Sequence, residues 1–443
     1  MAEVLRSVGL DVGTTSTQMI LSELTIENRA SAFCVPEMEI TQRKILYKSP
    51  IHFTPLLHGQ LVDGDGIRRI VAAEYRQAGI SRADVDTGAI IITGETSRKE
   101  NAATVLQSLS DFAGDFVVAT AGPDLESVLA AKGAGATEYS AQTGKTVLHM
   151  DIGGGTSNLA LIEDGRILAT GCLNVGGRLV KFDGSGAITY ISPVLSGIFH
   201  GELGKKPAPA ELEQLASTLV SALEMAAGLR EKTKLLEQLW TKECGPIWKT
   251  LPQNPVISFS GGVADCIETQ QPDLAFSDIG PILGRGIRGS RLCQGNYRLG
   301  TETIRATVIG AGCHSTQLSG STVFFQNVNF PLKNLPVVTD ISAFSRLDGP
   351  GVLTLADSKA AHYSQILRLA DEIAAAWPAH PVLIAMQQDM AKALGHALAL
   401  RFPKDRGILC IDRVILSENS YLDIAAPVDA ALPIVVKTLI LNR

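Results

Sequence analysis

The sequence predicts an α/β protein: two related α/β units of one design, followed by a C-terminal α/β unit. Three observations carry this. Short buried-type strands alternate with helices along the chain. A strand, an Asp, a Gly- and hydroxyl-rich turn and a second strand occur twice, as VGLDVGTTSTQMIL from residue 8 and LHMDIGGGTSNLALI from residue 148. The distance between the copies is far beyond a solenoid period, so the repeat implies two related domains rather than an array. The 443 residues suit two or three domains, with expected spans 1–145, 146–335 and 336–443.

In the first unit VGL (8–10) leads into DVGTTST (11–17), and QMILSEL (18–24) alternates on the way out. Turn signals around Pro36, Pro50 and Pro55 punctuate irregular strands, and an amphipathic helix is expected across Gly66 to Gly79. GAIIITG (88–94) and FVVAT (116–120) read as buried strands, 97–113 as a helix, and DLESVLAAKGAGA (124–136) as a small-residue helix. The pattern restarts at Thr146 with VLHM (147–150), DIGGGTSN (151–158) and LALIEDGRIL (159–168), the last containing an Asp-Gly hairpin signal at 164–165. Pro209 and the leucine face of Leu212, Leu215, Leu219 and Leu223 predict a long packing helix over 209–243. VISFS (256–260) delivers a double glycine, GGVADC (261–266), into a helix start, and RATVIGAGCHSTQL (305–318) is a further element of small residues. The third unit reads as the strand VLIAM (382–386), a helix across 387–402, the strand ILCID (408–412) and closing strands through PIVVKTLILNR (433–443).

Composition excludes several classes. Hydrophobic residues at 45% and charged residues at 19% describe a globular chain rather than a disordered or collagenous one. A net charge of −6 and 5% aromatics argue against a nucleic-acid partner. MAEVLRSVGLDVG lacks the basic and apolar regions of a signal peptide, and no run of 18 apolar residues appears, so a cytoplasmic protein without a membrane partner is expected. The seven cysteines form no C-x-x-C pair and read as reduced. Glycine is in surplus: 42 residues, against roughly 31 at the usual ~7%.

The paired turns carry the chemistry. Gly13, Gly153, Gly154 and Gly155 let backbone N–H groups converge on an anion without Cβ obstruction. Thr14, Thr15, Thr156 and Ser157 add hydroxyl donors. One carboxylate before each turn, Asp11 and Asp151, can hold a hydrated Mg²⁺ that bridges phosphate oxygens. No Walker A sequence is present, and GRGIRG (284–289), which lacks a preceding β-type run, is expected to be a surface loop rather than a dinucleotide site. His149, beside the second motif, reads as a packed strand residue.

DVGTTST, DIGGGTSN and ISFSGGVADC, in that order, resemble the two phosphate motifs and the adenosine motif of the actin, sugar-kinase and Hsp70-type ATPase superfamily. That resemblance implies two ribonuclease-H-like domains around a cleft that binds ATP and Mg²⁺. Gly261 and Gly262 would then approach the adenosine side, and the helices at 124–136 and 305–318 would be hinge-forming connecting helices. Blocks outside those motifs narrow the match, among them TGAIIITGETSRKENA (87–102), CLNVGGRL (172–179), AFSDIGPIL (275–283) and QQDMAKALG (387–395). They resemble the ethanolamine ammonia-lyase reactivating factor family over nearly the whole chain. The resemblance implies an ATPase chaperone whose partner is cobalamin-inactivated ethanolamine ammonia-lyase, where it promotes release of damaged cobalamin so that adenosylcobalamin can enter. It also implies association with a bacterial microcompartment. Phosphoryl transfer rests on positioning and charge stabilisation, supplied by Asp11 and Asp151 with the metal, plus a group that orients water. Glu95 and Glu126 are the expected candidates for that group; Arg98 and Lys99 read as solvated. A metabolite kinase and an actin-like filament protein are the competing readings.

Overall fold

The computed structural model describes residues 3–13, 16–28, 38–57, 61–93, 117–120, 123–241, 247, 255–314, 316–319, 322–347, 349–355, 362–377, 380–414, 416, 420–427 and 432–438. The described residues build three larger α/β sheets, with two further two-stranded ones.

In the first sheet the hairpin Glu3–Val12/Ser16–Asn28 pairs antiparallel throughout, and Met38–Lys48 adds an outer antiparallel strand. Thr87–Ile92 and Val117–Thr120 then add in parallel on the other side of Glu3–Val12. Every residue of Thr87–Ile92 is buried, as an inner parallel strand requires. The helix Gly64–Gln77 starts where Asp63 accepts the Gly66 N–H at 2.9 Å, and lays Ile67, Val71 and Tyr75 on the sheet.

The second sheet repeats this plan. Val147–Ile152 and Ser157–Glu163 form its hairpin, Arg166–Leu173 adds antiparallel, and Val256–Ser260 and Tyr297–Leu299 add in parallel. The Asp-Gly signal is a tight hairpin turn, with Asp164 at φ 48° and Gly165 at φ 75°. The long helix expected over 209–243 is two helices, Pro209–Ala226 and Lys234–Leu239, broken where Gly228 takes φ 72°. The GRGIRG stretch is not a surface loop. It lies in the helix Gly280–Arg288, where Gly284 packs on the Cys266 backbone and leaves no room for a side chain.

Two helices join the units reciprocally. Pro123–Gly133 follows the first sheet but packs against the second, while Ala306–His314 follows the second and packs against the first. Both are shorter than their sequence pattern suggests. Gly135, at φ 71°, ends one and starts the separate helix Ala136–Thr143, and Thr316–Leu318 after the other is a strand. They cross face to face. A Cβ on Gly310 would fall 2.6 Å from the Leu129 carbonyl carbon, and one on Gly133 2.7 Å from the Gly310 nitrogen. Much of the glycine surplus near these helices therefore answers backbone-to-backbone contact. This reciprocal pair of like units is the two-domain plan that the repeated hairpin predicts.

Among the described residues the third sheet has eight strands, and it begins upstream of residue 336: it takes Thr316–Leu318, Phe324–Gln326 and Leu332–Val338, the last of which straddles residue 335. Its parallel run continues through Val352–Leu355, Val382–Met386 and Ile408–Ile411, with helices Tyr363–Ala376 and Ala391–Ala399 on one face. The helix expected over 387–402 occupies only its middle. Pro433–Thr438 lies between Thr316–Leu318 and Ser420–Ile424, and its Val435 shares an apolar cluster with Ile91, Leu129 and Ala311. The helix expected at 97–113 lies outside the described residues. Among the described residues, no helix is long and apolar enough to cross a membrane.

Candidate functional site

Each hairpin ends in the same hydrogen-bonded turn. Gly13 N–H donates to the Ser16 carbonyl at 2.9 Å, and Gly153 N–H donates to the Thr156 carbonyl at 2.9 Å. The registers match as well, with Asp11 opposite Gln18 and Asp151 opposite Asn158. The repeat read from sequence is thus a repeat of backbone geometry. Thr14, Thr15 and Glu95 lie outside the described residues, as do Arg98 and Lys99.

Asp11 sits one residue from the end of its strand, where the Thr93 hydroxyl donates to Oδ1 at 2.8 Å. Burial, reinforced by the Asp151 charge and opposed by the Thr93 bond, pushes its carboxyl up to about 7. Asp151 is buried; Ser260 Oγ donates to its Oδ1, and Thr307 Oγ1, from the second connecting helix, lies 3.5 Å from Oδ2. Burial pushes this carboxyl up to about 6, against those two hydroxyls. Two carboxylates from different sheets thus share one region, and the Asp151 charge raises the proton affinity of Asp11, an arrangement that a cation between them would relieve.

A directed relay stands behind Asp151. His149 is fully buried, with Nδ1 3.1 Å from Ser258 Oγ and Nε2 2.9 Å from Ser260 Oγ. Ser260 has one proton and gives it to Asp151, so the Nε2–H of His149 must donate to Ser260 and Nδ1 must accept from Ser258. Burial, with the Arg298 charge beside it, pushes His149 down to about 3, which keeps the ring neutral as this tautomer needs. His149 is a packed strand residue, and it also orients the hydroxyl that holds Asp151.

The second turn is supported from below by two segments whose proximity the sequence does not display. Gly177 N–H donates to the Gly153 carbonyl at 3.0 Å and Arg178 N–H to the Gly154 carbonyl at 2.6 Å. Arg178 Nε pairs with Asp278 Oδ2 at 3.1 Å, and Asp278 Oδ1 accepts the Gly280 N–H at 2.8 Å. CLNVGGRL and AFSDIGPIL thereby meet beneath the turn, a role that neither block's own residue pattern signals. Above the turn there is space: a Cβ built on Gly155 meets nothing within 4 Å.

Gly261 and Gly262, the two glycines expected on the adenosine side, differ. Gly261 takes φ 87°, and a Cβ there would lie 2.6 Å from the Ile152 carbonyl carbon, so this glycine lets two strands approach. The nearest neighbour to a Cβ on Gly262 is the Ile304 side chain at 3.8 Å, which leaves that position open. Glu126, in the first turn of the first connecting helix, is buried and accepts from Asn158 Nδ2 at 2.8 Å. Asn158 faces Asp151 across the hairpin, so Glu126 reaches the same end of the second sheet. Among the described residues, no three or more His, Cys, Asp or Glu side chains gather as a metal site.

The family model described as "Ethanolamine utilisation protein EutA" matches residues 3–350 and 339–442. Two curated relatives are named ethanolamine ammonia-lyase reactivase EutA. The one from Salmonella typhimurium is 38% identical over 473 residues, covering 98% of each chain. The one from Escherichia coli is 37% identical over 474 residues, again covering 98% of each. A solved structure, that of the Aquifex aeolicus PPX-GPPA enzyme, is 13% identical with a TM-score of 0.43, over 70% of this chain and 99% of that one.

Proposed function

This chain belongs to the EutA family of ethanolamine utilisation proteins, and from that premise we propose that it is an ATP- and Mg²⁺-dependent chaperone for ethanolamine ammonia-lyase. It promotes release of damaged cobalamin from the inactivated lyase so that intact adenosylcobalamin can bind. The partner is taken from the names of the two curated relatives. The observation that carries the nucleotide part is the pair of matched hairpins, each presenting an Asp and an open glycine turn.

The donor set fits the expected ligands. Two carboxylates without a third acidic, His or Cys partner among the described residues suit a hydrated Mg²⁺, which takes one or two protein carboxylates and keeps its waters. The open space at Gly155 is a cradle that a Cβ would fill. When bound, the metal would neutralise phosphate charge. Asp11 and Asp151 would hold it, the N–H groups of Gly154 and Gly155 would face phosphate beyond a turn that the Gly153 N–H closes, as the Gly13 N–H closes the first, and Gly262 would leave room on the nucleoside side. Glu126, and Glu95 outside the described residues, are the carboxylates proposed to orient the attacking water.

Cleft closure would move the two sheets about the crossed connecting helices, whose glycine contact is a natural pivot. Val435 shares an apolar cluster with Leu129 and Ala311 of those helices, which couples the third sheet to that movement. We place the protein in the cytoplasm, with the ethanolamine microcompartment as its working context. The decisive experiment is recovery of cobalamin-inactivated ethanolamine ammonia-lyase with Mg-ATP and free adenosylcobalamin. Asp11→Ala and Asp151→Ala should each abolish recovery while circular dichroism shows an intact fold; full recovery with both would overturn the proposal.

A further inference from the structure

The third sheet gathers three oxygen donors that the nucleotide cleft does not use. Val382–Met386 and Ile408–Ile411 run parallel side by side, and Phe324–Gln326 pairs antiparallel with the latter, Phe324 opposite Cys410. Asp389 lies between Val382–Met386 and the helix Ala391–Ala399, Asp412 directly follows Ile408–Ile411, and Thr322 sits two residues before its neighbouring strand. All three stand at the carboxyl edge of the parallel strands, where open α/β sheets bind ligands.

Their contacts are unbalanced. Thr322 Oγ1 lies 2.8 Å from Asp389 Oδ1 and also contacts Asp412 Oδ2. A hydroxyl carries one proton, so it can satisfy only one of these two carboxylates. Asp412 is fully buried, and its other oxygen, Oδ1, has no hydrogen-bond partner among the described residues. Arg413 Nη2 lies 3.6 Å from Asp389 Oδ2, which sets one half-exposed guanidinium against two carboxylates.

We propose that Asp389, Asp412 and Thr322 form a site for a hard divalent cation of the magnesium, calcium or manganese class, separate from the nucleotide cleft. An all-oxygen donor set with two carboxylates selects such ions over softer metals. The orphaned Asp412 Oδ1 gains a partner, the hydroxyl no longer has to serve two anions, and half-exposed Asp389 leaves a side open for water. The ion ties together three segments of the third sheet.

The test is Mn²⁺ binding to the full chain without nucleotide, followed by electron paramagnetic resonance, with Mg²⁺ and Ca²⁺ as competitors. Removing an outer-shell partner commonly costs 10–100-fold in metal affinity, so loss of a direct ligand in Asp389→Asn or Asp412→Asn should weaken binding at least about tenfold. Asp151→Asn should keep this site. Because Asp412 is buried, Asp389→Asn is the decisive variant, with a melting curve confirming its fold. If Asp389→Asn binds Mn²⁺ as the wild type does, or all bound Mn²⁺ is lost in Asp151→Asn, the two aspartates share a proton instead and the proposal falls.

Discussion

Replacing Asp151 with Asn should make the nucleotide-free protein more stable above neutral pH. The carboxyl is buried, and its proton affinity is raised from the ordinary 3.8 to about 6. At about 1.4 kcal/mol per tenfold change, holding it ionised in the fold costs about 3 kcal/mol, as an upper bound. The sign follows from the direction. A carboxyl whose folded value is raised stabilises the fold below pH 3.8, and that stability is lost as pH rises through about 6. Asn carries no charge, and its carbonyl still accepts from Ser260. For a domain of this size each kcal/mol moves the melting temperature by roughly 2–4 °C, so Asp151→Asn should melt up to roughly 6–12 °C higher than wild type at pH 8. The two should converge near pH 4. Titrations common to both proteins, His149 included, cancel in the difference. Mg-ATP should then raise the wild-type melting temperature by mass action and leave the variant nearly unmoved. Parallel pH profiles for the two proteins, or a less stable variant at pH 8, would refute the reasoning. Confirmation would mean that the fold gives up stability to hold two uncompensated carboxylates where a cation is wanted.

Gly310→Ala should lower stability by about 2 kcal/mol despite the better helix propensity of Ala: the new Cβ meets the Leu129 backbone, overpacking costs up to ~3 kcal/mol, and propensity returns ~1. Denaturant unfolding measures this, and an unchanged midpoint would mean that the connecting helices do not cross as described. Gly155→Ala should leave the melting temperature unchanged because its Cβ meets open space, yet weaken nucleotide binding at least about tenfold, or 1.4 kcal/mol, in calorimetry. The His149 ring, held down to about 3, should show no titration between pH 5 and 8 by nuclear magnetic resonance; a shift centred near 6.5 would break the assigned relay.

The sequence by itself determined the duplicated hairpin, and for a physical reason: an Asp, a glycine and small hydroxyl residues between alternating apolar runs are strictly local constraints. Asp11 and Asp151 are legible in it, as is the turn at Asp164–Gly165, because strand register and turn chemistry act within a few residues. The tertiary structure decided everything that depends on distant segments meeting. Gly284 reads as loop-forming in sequence, and Gly133 and Gly310 as small residues that serve either close packing or a hinge; each is small because another backbone lies against it. Apolar periodicity overstates helix length at 209–243 and 387–402 because it does not mark where a chain turns away from its sheet. The Arg178–Asp278 support, the His149–Ser260–Asp151 relay and the Thr322–Asp389–Asp412 cluster are invisible in sequence, since each joins residues many tens of positions apart. Local chemistry writes a motif into the chain; whether its carboxylates are buried, oriented and set against one another depends on which strands the fold places side by side.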